Sequence, residues 1–580
     1  MLRLLFFQPL GVAKMGMARF PLVFLALVLA GCGGGGSASS GSGGTNGGAP
    51  LGAGTGTGGT TGGGDSAPPP PPPPPPPQVS VALSSENPVI KVAEGDPQGA
   101  SFTFVAKVAN NPAGASPKVT FDDSIFIAKP EIDSSVAGQY TITLRTRADL
   151  SASVPSGQIG FSLCEDAACS KTYAKSQQSL SYTLNFRLLD WMTTQRNASH
   201  TGYVPITLYP SRFKQLWSWW LPASGWLNAP VTGEGKVFTT SDNYTGKNGL
   251  YAFDESSGTL LWSLQADNVD RLDPPAYANG HIFVHAVEHN NSYLTYWIWM
   301  VKASTGELVR KIPMNVGQTV MAPTPQGDTV FTNTAIWGGG VSAYNIQDGT
   351  LRWESREDYR YFTSPAATEQ NVFYYSGQSL TVYKRSGERI MTIQDAAGAT
   401  NYNSSDYIAV PALGSKGNVI TLSGTQFSGY GGTSPASGIS RPIVNLGWAG
   451  PNPGTIWLSQ DGYLTQPAIA DGVIYAGTGA LYAVTGYTAR LDALDEATGK
   501  VLWSWTAPNG DWSFYRNIVV TKNLLFISSD KYVYALDRKT HQPVWQAPFP
   551  GALALFGDGK LAITTGGKFS DGRVTVFQLQ

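Results

Sequence analysis

Eight short apolar runs punctuate the chain at regular spacing: Val237-Phe238, Ile282-Phe283, Val330-Phe331, Val372-Phe373, Val419-Ile420, Val473-Ile474, Leu525-Phe526 and Leu561-Ala562. Most are introduced by Gly, Asp or Asn, and runs bounded in this way predict buried strands. A second pattern accompanies them. The stretch Leu494-Asp495-Glu496-Ala497-Thr498-Gly499-Lys500-Val501-Leu502-Trp503 recurs from Asp254 to Trp262 and from Asp537 to Trp545, with a variant from Asn345 to Trp353. The Trp always stands eight residues after the turn acid or amide. This predicts a hairpin in which the Asp or Asn side chain accepts backbone N–H groups, Gly takes the left-handed position and the second strand carries a large aromatic ring.

The Trp position and its degenerate copies fall at Trp217, Trp262, Arg310, Trp353, Met391, Trp457, Trp503 and Trp545, with Gly306 and Gly387 marking the weaker turns. The intervals of 45, 48, 43, 38, 66, 46 and 42 residues lie near the length of one β-propeller blade. Each hairpin is too small to bury its own apolar face, so neighbours must stack. Phe213 to Trp220 is a Trp strand with no repeat before it, and Gly559 to Gln580 ends in Val574-Thr575-Val576-Phe577 with no Trp strand after it. Pairing the two ends in one blade would close the ring and remove exposed sheet edges. The expected fold is all-β: a closed eight-bladed propeller over 191–580, its last blade shared between the two ends of that segment.

Residues 79–190 show a different rhythm. Val79 to Leu83, Ala100 to Val108, Gln139 to Arg147, Gly157 to Leu163 and Leu180 to Leu188 alternate apolar and polar positions between turn signals, as in an Ig-like β-sandwich. Cys164 and Cys169 flank a four-residue loop in this segment. In an exported protein they are expected to form a disulfide, worth roughly 2 kcal/mol through loop entropy. A metal site is the alternative, but the two thiols lack a third Cys or a nearby His.

The amino terminus carries targeting information. Arg19 precedes the apolar run Phe20 to Val28, and Leu29-Ala30-Gly31-Cys32 follows, resembling a bacterial lipobox that ends in a lipidated cysteine. The run is short for a membrane-spanning helix. Residues 1–31 are therefore expected to be a lipoprotein signal peptide, with Met15 or Met17 giving a more ordinary start. A Gly/Ser-rich stretch from Gly33 to Ala67 and ten consecutive prolines from Pro68 to Pro77 form no core. As a tether, they would span roughly 30 Å of flexible chain and about 30 Å of polyproline spacer. A ligand for proline-binding modules is the other reading, but no basic residue flanks the prolines. Gly33 is not the Asp of an inner-membrane retention signal, which favours delivery to the outer membrane.

Composition narrows the classes. The chain has 39 basic and 40 acidic residues, and removing Arg3, Lys14 and Arg19 with the signal leaves a net charge of −4. Such a chain has no electrostatic footprint for nucleic acid. His281, His285 and His289 would share a face on a helix, but they lie in a strand pattern, where positions four apart are separated by about 13 Å. No metal site is expected there. Asn197-Ala198-Ser199 reads as a turn. Trp217, Trp219, Trp220 and Trp226 form an aromatic cluster that fits interblade core, or alternatively a platform for sugars or a partner.

The repeats, Trp191 and the run Gln195-Arg196-Asn197-Ala198-Ser199-His200-Thr201-Gly202-Tyr203 resemble the pyrroloquinoline-quinone-like eight-bladed propeller family over 191–580. With the lipobox, the chain is similar to BamB-like outer-membrane lipoproteins that assist β-barrel assembly. The long tether and the added sandwich depart from that simpler pattern. The resemblance implies envelope proteins, including the outer-membrane β-barrel assembly machinery, as partners. Quinoprotein dehydrogenases share the fold and resemble one another in adjacent cysteines, a calcium and an Asp base. This chain has no adjacent cysteines, and Asp254, Asp495 and Asp537 belong to turns. No quinone or other cofactor is therefore expected, and the fold by itself does not supply one.

Two insertions are candidates for partner binding: Thr425 to Ser440, with Tyr430, and Gly477 to Thr488, with Tyr482 and Tyr487. Long loops on a rigid ring commonly carry binding, although a tolerated insertion explains them equally. The expected function is a non-catalytic, lipid-anchored scaffold on the outer membrane, facing the periplasm or the cell surface. A surface adhesin or glycan-binding lipoprotein is the alternative, and a quinoprotein oxidoreductase the second alternative. Replacing Cys32 with Ser is expected to abolish incorporation of labelled palmitate and release the protein from membranes; a labelled variant would refute the lipobox.

Overall fold

The computed structural model describes residues 78–580, apart from 85–86, 149, 151–155, 223–224, 244–246, 291–292, 315–321, 334–338, 357–362, 399–409, 425–439, 481–486, 509 and 568–569. Cys32, Tyr430 and Tyr482 lie outside the described residues. Among those described, strands dominate, and the one named helical element is the 3-10 turn Pro210–Arg212. No described helix is long and apolar enough to cross a membrane.

Residues 80–187 form two four-stranded sheets. One orders its strands Ser80–Leu83, Ser101–Ala109, Gln139–Arg145, Glu131–Asp133; the other Val89–Ala93, Gln178–Arg187, Ser156–Cys164, Ser116–Thr120. Alternating burial along Gln139–Arg145 and Gln178–Arg187 sends Ile142, Leu144, Tyr182 and Phe186 into the common core. Three strands escape the sequence pattern: Val89–Ala93, Ser116–Thr120 and Glu131–Asp133. Glu131–Asp133 is exposed throughout, so it lacks the apolar positions that reveal a strand. Val89–Ala93 pairs in parallel with Gln178–Arg187, a partner far along the chain that no local signal announces. Cys164 and Cys169 are joined as a disulfide, with their Cα atoms 4.9 Å apart.

From Lys214 onward the described strands form five four-stranded antiparallel sheets, one five-stranded sheet and one nine-stranded sheet; the last divides into two units of four joined by Gly225–Leu227, and we number the resulting eight units as sheets 1 to 8 in chain order. The runs Val237-Phe238 through Leu561-Ala562 each lie in the strand after the first hairpin turn of a sheet, and all but the half-buried Val473 are buried. The Trp positions lie in the outermost strands. The C-terminal strand Ser570–Gln578 pairs with Lys214–Trp220, placing Val576 opposite Trp217, so sheet 8 takes its outer strand from the start of the array. Gly225–Leu227 bridges sheets 1 and 8 by pairing with a strand of each. His281, His285 and His289 occupy one strand, His281–Asn290.

The Trp position coincides with a repeated irregularity. In all eight sheets the register shifts immediately beside the pair that contains it, from Ala252↔Trp262 to Val576↔Trp217. A bulge adds local twist, and here it accompanies side chains that reach the next sheet. The indole N–H of Trp217 donates to the Glu255 carbonyl at 3.1 Å, Trp262 to Ala303 at 3.1 Å, Trp353 to Arg385 at 2.8 Å and Trp457 to Glu496 at 2.9 Å. Arg310, standing for Trp, donates to the Asp348 carbonyl at 2.6 Å.

Each ring lies against the turn glycine of the following sheet. A Cβ on Gly258 would sit 2.4 Å from the Trp217 ring, and one on Gly499 would sit 2.6 Å from Trp457. The turn itself is held by its acid: Asp254 Oδ1 accepts the Ser257 N–H at 2.8 Å and Asp537 Oδ1 the Thr540 N–H at 2.7 Å. These hydrogen bonds hold both carboxyls below the usual Asp range. Where His541 replaces Gly, it keeps a positive φ of 60° and stacks on Trp503 at 4.1 Å. Gly499→Ala is expected to cost about 2–4 kcal/mol in denaturant unfolding, combining left-handed strain with overpacking. Gly472→Ala, at φ +75° with nothing within 4 Å of its new Cβ, should cost only the strain, about 1–2 kcal/mol.

Candidate functional site

Alternation of strand direction puts the first and third hairpin turns of every sheet at one end of the ring, and the turns between second and third strands at the other. The first end carries the best-defined polar features. Across it runs the segment from Trp191 to Tyr203, which meets one sheet after another. The N–H of Thr232 in sheet 1 donates to the Trp191 carbonyl at 2.9 Å, and Tyr277 in sheet 2 to Met192 at 2.8 Å. Thr193 Oγ1 donates to the Pro323 carbonyl beside sheet 3 at 2.6 Å. Sheets 4 to 7 follow through Ala367 to Ala198, Leu413 to Ser199, Ile469 to Thr201 and Val520 to Gly202, all at 2.8–2.9 Å. Six inner strands thus end on backbone carbonyls of one continuous segment, and a seventh sheet is met by its Thr193 hydroxyl.

The side chains of this hub are buried and engaged. His200 is fully buried, with Nδ1 2.9 Å from the Pro411 carbonyl and Nε2 3.1 Å from Thr324 Oγ1. Burial pulls its pKa from the ordinary 6.5 to about 4, against the opposing Pro411 bond. Arg196, at φ +84°, donates Nη1 to the Tyr203 carbonyl at 2.7 Å and Nη2 to Glu94 Oε2. Glu94 comes from the loop after Val89–Ala93, so a nearly buried ion pair ties residues 80–187 to the hub. A second tie lies at the rim: Arg187 forks onto Glu255, Nη1 to Oε1 at 3.0 Å and Nη2 to Oε2 at 3.3 Å, and the Leu188 N–H donates to the Gly557 carbonyl at 2.6 Å.

Also at this end, a surface cleft of about 410 Å³ opens between sheets 5 and 6, lined by Ser415, Lys416, Asn418, Trp448, Asp495 and Glu496 among others. Sequence reasoning passed over Glu94, Glu255 and Glu496. The signal was present for the last two, since each follows a turn Asp, but the repeat pattern gave that position no role. Trp217 and Trp219 pack between sheets, Trp219 lying 4.9 Å from Phe253, whereas Trp220 is 56% exposed. Tyr487 is half-buried just before the strand Arg490–Asp495. The structure does not bring it to the hub or the cleft.

At the opposite end, buried carboxylates already have partners. Asp492 accepts from Arg490, Tyr463 and Ser504, and Asp395 from Tyr375 and Ser423. His285 faces Thr332 at 2.5 Å and Asp273 at 3.8 Å. Among the described residues no group of three or more His, Cys, Asp or Glu side chains is arranged to hold a metal.

A family model described as "Outer membrane protein assembly factor BamB" matches residues 212–354 and 451–579. The chain's repeats are those of the PQQ-like β-propeller family. The matched PQQ-like stretches contain the turn-and-Trp repeats of sheets 1 to 3 and 6 to 8, and the unmatched 355–450 holds most of sheets 4 and 5. No curated protein matches the chain. Similar solved structures include a europium-containing methanol dehydrogenase, 16% identical, covering 67% of this chain and 98% of that one at TM-score 0.47. Quinohemoprotein alcohol dehydrogenase from Comamonas testosteroni is 14% identical, covering 67% and 80% at TM-score 0.48. BamB from Moraxella catarrhalis is 13% identical, covering 63% and 99% at TM-score 0.44.

The three cysteines of the chain, Cys32, Cys164 and Cys169, include no adjacent pair, and the last two are bonded to each other outside the PQQ-like repeats. The hub gives a pH signature instead. A folded pKa below the unfolded value means that His200 stabilises the neutral state above pH 6.5, and that this contribution is lost as pH falls toward about 4. His200→Gln should flatten that part of the stability profile, removing up to about 3 kcal/mol of pH dependence between those limits, as read by urea unfolding across pH.

Proposed function

We propose that this protein is a non-catalytic, lipid-anchored envelope scaffold that takes part in outer-membrane protein assembly. In this reading Cys32 carries the lipid, residues 33–77 are the tether, 79–190 an Ig-like sandwich and 191–580 a closed eight-bladed ring. Its partners are envelope proteins of the β-barrel assembly class, named by the family description of the matched repeats. The loops bearing Tyr430, Tyr482 and Tyr487 belong to the proposed contact surface.

The observation that carries the proposal is the outer surface of the ring. The outermost strands combine an unpaired edge with exposed apolar side chains: Leu502 is 55% exposed, Ile456 54% and Leu351 52%. Exposed edges and apolar positions of this kind suit strand addition and protein docking. The repeat acids support the same reading, because Asp254, Asp495 and Asp537 hold backbone turns and are thereby committed to structure.

Photo-crosslinkers placed at Ile456 and Leu502 in intact envelopes are expected to capture a β-barrel assembly component. Reproducible absence of any envelope protein would overturn the scaffold. Dye-linked alcohol oxidation after addition of quinone and calcium would overturn its non-catalytic character.

A further inference from the structure

The residue directly after the third strand of a sheet forms a recurring interblade position, charged in sheets 1, 4, 6 and 7 as Glu255, Arg385, Glu496 and Arg538. Its carbonyl receives the preceding sheet's indole, as at Glu255 and Glu496. Its side chain reaches the first hairpin turn of that preceding sheet. Arg385 reaches Asp328, Arg538 reaches Asp471 at 3.0 Å and Glu255 reaches Lys560 at 3.6 Å. In each case opposite charges meet across the seam.

Glu496 breaks this rule. At the place where Lys560 stands for Glu255, the seam between sheets 5 and 6 carries Asn418, whose amide donates to Asn445 Oδ1 at 2.7 Å. Glu496 Oε1 accepts the Ser415 N–H at 2.7 Å and its hydroxyl at 3.0 Å. Oε2 is buried without a hydrogen-bond partner, in a side chain only 5% exposed that lines the cleft. An unpaired buried carboxylate oxygen is costly, so the cleft is built for a donor from outside the ring.

The equivalent seam shows which donor fits. Glu255 receives the fork of Arg187, which arrives on the extended strand Gln178–Arg187 from outside the ring. The cleft at Glu496 adds the Trp448 ring, and a planar guanidinium pairs with a carboxylate and stacks on an aromatic face. We propose that the cleft between sheets 5 and 6 docks an arginine side chain presented by an extended segment of a partner polypeptide, Glu496 taking the guanidinium and Trp448 its face. This rests on the scaffold reading and names the chemistry of the partner.

Lys416, also lining the cleft, opposes an incoming cation and sets the affinity. The test uses the full chain in detergent and a capped Gly-Arg-Gly peptide, followed by saturation-transfer NMR and calorimetry. Millimolar binding is expected, with at least tenfold weaker binding of the neutral citrulline peptide and of free arginine. Glu496→Gln should weaken binding at least tenfold at unchanged thermal stability, and Lys416→Ala should strengthen it several-fold. The second variant keeps the test decisive should the first not fold. Equal binding of arginine and citrulline peptides, or indifference to both substitutions, would overturn the site. Peptide binding as expected with no protein captured from envelopes would uphold the site and overturn the scaffold; capture of an assembly component unaffected by Glu496→Gln would do the reverse.

Discussion

The repeated sheets depend on one contact, present at four seams: an outer-strand indole set on the turn glycine of the next sheet, with its N–H given to the carbonyl beside that turn. The contact joins two requirements that a small hairpin cannot meet alone. It covers a large apolar ring, and it satisfies a turn carbonyl that would otherwise point into a seam. Because donor and acceptor lie in consecutive sheets, repetition of the contact orders the sheets. Its substitutions are informative. Arg310 retains the hydrogen bond to the following turn, and His541 retains both the positive φ and a flat surface against Trp503.

The second organising element is the hub at 191–203. Inner strands leave N–H groups facing the axis, and buried donors of this kind need partners. A single segment supplies carbonyls to six sheets and a hydroxyl to a seventh. Desolvation favours the neutral form of its buried His200, and its Arg196 pairs with Glu94. The hub thereby joins the packing of the ring to that of the preceding two sheets, with the forked Arg187–Glu255 contact as a second attachment.

These attachments show how the turn-bearing end of the sheet array receives a strand of this chain from outside the repeats. One extended strand already docks there through an arginine on a turn glutamate. The seam at Glu496 repeats the acceptor with Asn418 in the place of Lys560. The proposed docking site lies where the repeat departs from its own pattern, while the repeated aspartates remain occupied with their turns.

Much of the strand pattern, the turn-and-Trp spacing and the roles of Asp254, Asp495 and Asp537 were legible in the chain because each depends on neighbours a few residues apart. Alternation gives the strands, and an eight-residue spacing gives the turn and its ring. The strand–strand pairing between Val574-Thr575-Val576-Phe577 and the Trp217 strand was legible as well, since two incomplete repeats complement each other. Three strands of residues 80–187 were not: Val89–Ala93 pairs with a partner far along the chain, and Glu131–Asp133 has no buried face. The hub was visible only as a motif without a place. Glu94, Glu255 and Glu496 looked like ordinary surface acids, since burial, an arriving arginine or the lack of any partner is decided by residues tens to hundreds of positions away. Local sequence sets what each repeat is; only the tertiary structure decides which seam holds its charges satisfied and which leaves one open.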